Sequence, residues 1–169
     1  MVKEAVVTDV ALSIFLVLSG VTVVEGGREC QNNQSLMGEY ISHTNLIELC
    51  QSNAARAGHD LQHVLRHEMV HAVQENLNLT RAAIPEPLLT WLVRGYLTDS
   101  EVMTVLVMYD EKDIDQEFEA RLLALLPNWL IGSLLWTSEQ HQRFVSGQRM
   151  LPAPWEILPV QAIAWDYPY

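Results

Sequence analysis

Apolar residues early in the chain recur every four positions, at Val6, Val10, Ile14 and Leu18, which predicts a helix over Lys3 to Ser19. The segment GVTVVEGG that follows is rich in β-branched residues, is closed by Gly26 and Gly27, and reads as a short strand. MGEYISHTNLIELCQSN predicts two more strands, about Tyr40 to Ser42 and Leu46 to Cys50, joined by a turn at His43, Thr44 and Asn45. A small antiparallel sheet is the expectation. With Ser52 or Asn53 as N-cap, the pattern turns helical from Ala54 to about Asn78, broken only by Gly58 near its start. After Pro85 and Pro87, the segments EPLLTWLVRGYL, DSEVMTVLVMY, IDQEFEARLLALL and NWLIGSLLWTSEQHQRF all read as helices. The remainder, about residues 148–169, carries Pro152, Pro154, Pro159 and Pro168, and is expected to wrap the surface as an irregular tail anchored by Trp155 and Trp165. The sum is an α+β, predominantly helical fold, with residues 1–169 as a single domain.

Composition narrows the possible partners. A hydrophobic fraction of 49% with 18% charged residues describes a chain that buries a core rather than a disordered one. Ten Lys and Arg against 21 Asp and Glu give a formal charge of -11, which repels phosphate backbones and anionic lipid. No basic patch offsets it, so nucleic acid is excluded as a partner. The apolar run from Val10 to Val24 is interrupted by Ser13, Ser19 and Gly20; it is too broken for a membrane span, and a buried helix running into a strand is expected in preference to an export signal. Two cysteines, Cys30 and Cys50, make no disulfide framework; the expectation is a reducing cytoplasm with free thiols, whereas an exported chain would bridge the pair.

The helix that begins near Ala54 contains VLRHEMVHAVQE, residues 64–75. His67 and His71, four apart, are separated by about 40° around a helix and one turn along it, so their imidazoles converge on one point. Glu68, about 100° round from His67, flanks that point and reaches a water there more easily than a metal. This is the division of labour that hydrolysis requires: zinc acidifies water to a pKa of about 7, and a carboxylate takes the proton as the water attacks a carbonyl. The surrounding segment is apolar, and two histidines and a glutamate are costly to bury there without a shared purpose. His63 and His59 continue the four-residue ladder, but Val64 follows His63 where a base is needed; His63 is assigned to packing or to supporting a ligand, and His59 to solvent.

A catalytic zinc ion, one per chain, needs a third protein ligand and an open position. The astacin-like continuation, with Gly and His three and six residues after the second histidine, fails because Gln74 and Leu77 stand there. Further along, DIDQEFEARLLALL supplies Glu117 and Glu119. Periodicity aligns Glu117 with Ala120, Arg121 and Ala124, and Glu119 with Leu122, Leu123 and Leu126, and either stripe is compatible with an inward face. The small residues beside Glu117 would let its helix approach the histidine helix closely.

A strand, then H-E-x-x-H on a helix, then E-x-x-A on a later helix resembles the zincin metallopeptidases of the gluzincin type, including small ImmA/IrrE-like proteins. The segments NLIELC and HVLRHEMVHAVQ are also similar to the small mitochondrial inner-membrane processing peptidases. The likeness covers roughly residues 40–125. It implies a zincin-like domain whose sheet packs on the metal helix, a peptide or protein substrate, His67, His71 and Glu117 as zinc ligands, and Glu68 as general base. Glu119 would then support a ligand or help shape the site. The resemblance further implies that the strand Leu46 to Cys50 is an edge for an extended peptide. Arg121 departs from it, standing where many gluzincins have an acid that supports a ligand histidine. Tyr96, Tyr109, His141 and Arg121 are candidates to stabilise an oxyanion. Two other readings compete: a zincin-like interaction protein without turnover, and a structural Cys2His2 zinc module of Cys30, Cys50, His67 and His71, which leaves Glu68 without a purpose.

Overall fold

In the computed structural model, residues 3–4 and 9–153 are described, so the tail anchors Trp155 and Trp165 lie outside the described residues. The first helix, α1 (Val10–Leu18), is shorter than its periodicity predicts. Asp9 caps it, its Oδ1 accepting from the Leu12 N–H at 2.8 Å. Lys3 and Glu4 are not helical: they form strand β1 (Lys3–Glu4), antiparallel to β2 (Thr22–Glu25). A short helix that no periodicity announced, α2 (Arg28–Asn32), precedes β3 (Gly38–Ile41), a 3-10 turn at Ser42–Thr44, and β4 (Leu46–Leu49).

The sheet order is β1-β2-β4-β3, with β3 and β4 antiparallel but β2 and β4 parallel. The expectation of an antiparallel sheet is therefore corrected to a mixed one. A tight turn forces β3 and β4 to run in opposite directions, whereas the long connection through α2 and β3 lets the chain cross over before β4. The same order corrects the expected edge: β4 lies between β2 and β3, with Ile47, Glu48 and Leu49 buried, and among the described residues the outer strands are β3 and the two-residue β1.

The long helix predicted from Ala54 to Asn78 is two helices. Gly58, at φ 75°, ends α3 (Gln51–Ala57) in the left-handed region, and Asp60 caps α4 (Leu61–Asn76) by accepting from the Gln62 N–H. Cys50, rather than Ser52 or Asn53, is the residue before α3. The four later helices match their periodicity: α5 (Glu86–Tyr96), α6 (Asp99–Met108), α7 (Ile114–Leu123) and α8 (Asn128–Val145).

Two apolar clusters hold these elements. The larger joins the sheet to α1, α4 and α8 through Leu12, Ile47, Leu65, Met69, Ile131 and Leu135, and reaches α7 at Ala120. The smaller lies between α5, α6 and α7, with Leu89, Val93, Val105, Phe118 and Leu122. Close approach of α1 and α8 requires Gly132, since a Cβ there would overlap the Phe15 ring. A polar relay fixes α4 against α7 and α8: Arg66 donates to the Ala124 carbonyl at 2.6 Å and to Asn128 Oδ1 at 2.9 Å, and Asn128 donates to Asp9.

Cys30 and Cys50 are joined in a disulfide, with Cα atoms 5.2 Å apart, so the expectation of free thiols is overturned. β4 ends at Leu49, and the Cys50 N–H bonded to the Met37 carbonyl brings the loop after α2 beside the start of α3. No helix among the described residues is long and apolar enough to cross a membrane.

Candidate metal centre

His67, Glu68 and His71 sit on α4 beside the larger apolar cluster, and Glu117 is presented by α7. The fully buried Ala120 and Ala124 allow that approach, as their small size led one to expect. His67 Nε2 and His71 Nε2 are 3.1 Å apart, with the rings edge to face. Glu117 completes a triangle: its Oε1 is 3.5 Å from His67 Nε2 and its Oε2 is 3.4 Å from His71 Nε2. Donors about 2.0–2.1 Å from zinc at tetrahedral angles stand about 3.3 Å from one another, so the three fit a zinc ion's coordination edge.

The electrostatics favour a cation at the same point. Glu117 is 2% exposed; Arg121 pairs with its Oε1, but its Oε2 makes no hydrogen bond among the described residues, which leaves one buried oxygen able to take a cation. Burial works to raise its pKa, but the two imidazoles beside it outweigh that and hold the carboxyl below the ordinary range. Burial likewise works to lower the pKa of His71, and here the carboxylates of Glu117 and Glu68 prevail and raise it. Any metal must displace protons from this cluster as it binds.

Glu68 is buried beside the two histidines and Glu117, and loss of hydration raises its pKa in spite of the nearby histidines. Gly38 of β3 lies against it: a Cβ there would come within 2.8 Å of Val64 Cγ1 and 3.0 Å of Glu68 Cγ. Glycine thus brings the β3 edge onto Glu68. His67 and Glu68 open into a cleft walled on one side by Leu36, Met37 and Gly38 and on the other by Glu101, Met108, Tyr109 and Arg121.

Of the four oxyanion candidates, Tyr109 and Arg121 line this cleft, while Tyr96 and His141 do not. Tyr109 is pushed up to about pKa 12, first by burial and then by the Glu117 carboxylate. Arg121 donates through Nε to Glu117 Oε1 at 3.0 Å, so the residue that departs from the gluzincin pattern braces the carboxylate that faces the two histidines. His63 lines the cleft outside the ligand triangle, its pKa lowered by burial and then by Arg66, and His59 is exposed at the cleft rim.

Glu119 faces away from the histidines and accepts from Gln74 at 3.0 Å and from the Ile84 N–H at 2.8 Å. Gln74, in turn, meets His71 Nδ1 at 2.9 Å. Sequence reasoning noticed Gln74 only as the residue that breaks the astacin-like pattern. Its place one turn after His71 was the available signal. The Cys2His2 alternative fails, because the two sulfurs are bonded to each other and the histidine group is completed by Glu117.

No protein-family model, curated protein or solved structure matches the chain.

Proposed function

We propose that this chain is a zinc-dependent metallopeptidase of the gluzincin type, with His67, His71 and Glu117 as ligands and Glu68 as general base. The observation that carries the reading is the buried Glu117 carboxylate, one oxygen unpartnered, 3.4–3.5 Å from two imidazole nitrogens that face each other, with a second buried carboxylate alongside. A purely structural zinc site would have no use for that second carboxylate or for a cleft opening onto it. Bound zinc would supply the Lewis acidity that acidifies water and polarises the scissile carbonyl.

Glu68 takes the proton of the attacking water and returns it to the leaving amine. Its position on α4 directly after His67 and its burial at the inner end of the cleft suit both transfers. Tyr109 and Arg121, which line the cleft with His67 and Glu68, are the donors we assign to the oxyanion. The substrate is a peptide or protein segment that lies extended along the free edge of β3, where backbone groups supply the pairing that β4 cannot. The Cys30–Cys50 disulfide favours an oxidising compartment over a reducing cytoplasm.

The test is metal analysis of purified protein with a generic peptide-cleavage assay, with and without chelator, on the wild type and Glu68→Gln. The expected result is about one zinc per chain in both proteins and hydrolysis, abolished by chelator, in the wild type alone. Zinc binding without hydrolysis in the wild type would point to a zincin-like interaction protein. Full activity in Glu68→Gln would overturn the mechanism.

A further inference from the structure

Gln74 is 5% exposed and Glu119 2%, so both polar side chains must be accounted for by named partners. The Gln74 amide lies within hydrogen-bond distance of three groups: the Gln116 carbonyl at 3.1 Å, Glu119 Oε2 at 3.0 Å and His71 Nδ1 at 2.9 Å. A carbonyl and a carboxylate accept only, and together they take both hydrogens of the amide nitrogen. The amide oxygen is left facing His71 Nδ1, and it has no hydrogen to give. Nδ1 must therefore be the donor. In a neutral imidazole that leaves Nε2 with its lone pair, and Nε2 is the atom that faces His67 and Glu117.

Both ends of this chain of bonds are fixed. Glu119 Oε1 accepts from the Ile84 N–H in the loop before α5, and the Gln116 side chain donates to the Leu79 carbonyl in the same loop at 2.9 Å. The Glu119 carboxylate accepts from a backbone donor on one side and from the Gln74 amide on the other, and the amide oxygen accepts from the imidazole. Flipping the Gln74 amide would set its oxygen against two acceptors at once.

We infer that Gln74, anchored by Glu119, is a positioning residue that holds the His71 proton on Nδ1 and keeps Nε2 free to ligate metal. The inference rests on the zinc reading above. Without an acceptor at Nδ1, the neutral ring is free to carry its proton on Nε2, the atom a metal needs. Partners of this kind are worth about 10–100-fold in metal affinity.

Two measurements test it. The first uses the wild-type protein, freed of metal, at a pH where both histidines are neutral: long-range 15N–1H correlation reads which His71 nitrogen carries the proton. Nδ1–H is expected; Nε2–H would overturn the assignment. The second compares zinc dissociation constants of wild type, Gln74→Met and the swap Gln74→Glu with Glu119→Gln. In the swap a carboxylate accepts from His71 and from the new amide, whose oxygen still accepts from Ile84, while the Gln116 carbonyl loses its donor. Gln74→Met should weaken zinc about 10–100-fold and lose the Nδ1–H signature, and the swap should restore the signature and part of the affinity. A folded Gln74→Met variant within twofold of wild type would refute the inference. If Gln74→Met does not fold, the wild-type tautomer decides. Should wild type bind no zinc, the metallopeptidase reading falls, while the tautomer result still stands or fails alone.

Discussion

Glu117 and Glu119 are two positions apart on one helix and equally buried, yet they face different partners. A separation of about 200° around the axis turns one towards the histidines and the other towards Gln74 and the Ile84 N–H. Only the first has an oxygen left for a cation. Glu117→Ala should therefore lose stoichiometric zinc, measured by metal analysis, whereas Asp115→Asn on the exposed start of the same helix should keep it. A Glu117→Ala protein that retains one tightly bound zinc would remove this residue from the ligand set. His67→Ala and His71→Ala should also lose the metal, and with it the thermal stabilisation that zinc gives the wild type.

At the scale of elements, the helix positions depend on a few specific contacts. Asp9 caps α1 and accepts from Asn128 at the start of α8, and these bonds, the Leu12 N–H first, lower its pKa from 3.8. A carboxyl whose pKa is depressed in the folded state contributes stability above its unfolded value, and loses it as pH falls through the folded value. Asp9→Ala should cost about 1 kcal/mol at neutral pH by denaturant titration, and the difference from wild type should shrink below about pH 4. An equal difference at all pH values would mean that the charge contributes nothing. The Cys30–Cys50 disulfide joins α2 to the start of α3 across 20 residues of sequence, a loop whose closure is worth roughly 3 kcal/mol. The double Ser variant should lose about that much stability and still bind zinc, because neither sulfur belongs to the histidine group.

Across the whole molecule, the candidate centre joins two apolar clusters. His67 and His71 belong to α4 in the larger cluster, while α7 is shared: Ala120 packs in the larger and Phe118 and Leu122 in the smaller. A bound cation would thus tie α5, α6 and α7 to the sheet side of the protein. At 100 times its dissociation constant a ligand stabilises the folded state by about 2.7 kcal/mol. Chelation should lower the melting temperature, and hydrogen exchange should accelerate more in α5, α6 and α7 than in α1 and α8. Equal acceleration everywhere would show that the two clusters unfold as one unit with or without metal.

Local rules made a large part of this protein legible in its sequence. Four-residue periodicity found α5 to α8 and the histidine pair, because both follow from the 3.6-residue turn of one continuous segment. Glycine marks a break stronger than the periodicity around it: Gly58 divides one predicted helix into two because its positive φ ends the hydrogen-bond ladder. The mixed sheet, the β3 edge, the Cys30–Cys50 bridge and the partnership of His71, Gln74 and Glu119 lay beyond local pattern. Each joins residues distant in sequence, and which of two buried acids meets a histidine depends on how α7 is rotated against α4. That rotation is set by the packing of Ala120, Phe118 and Leu122 and by the Arg66 bond to Ala124, so only the tertiary structure decides it.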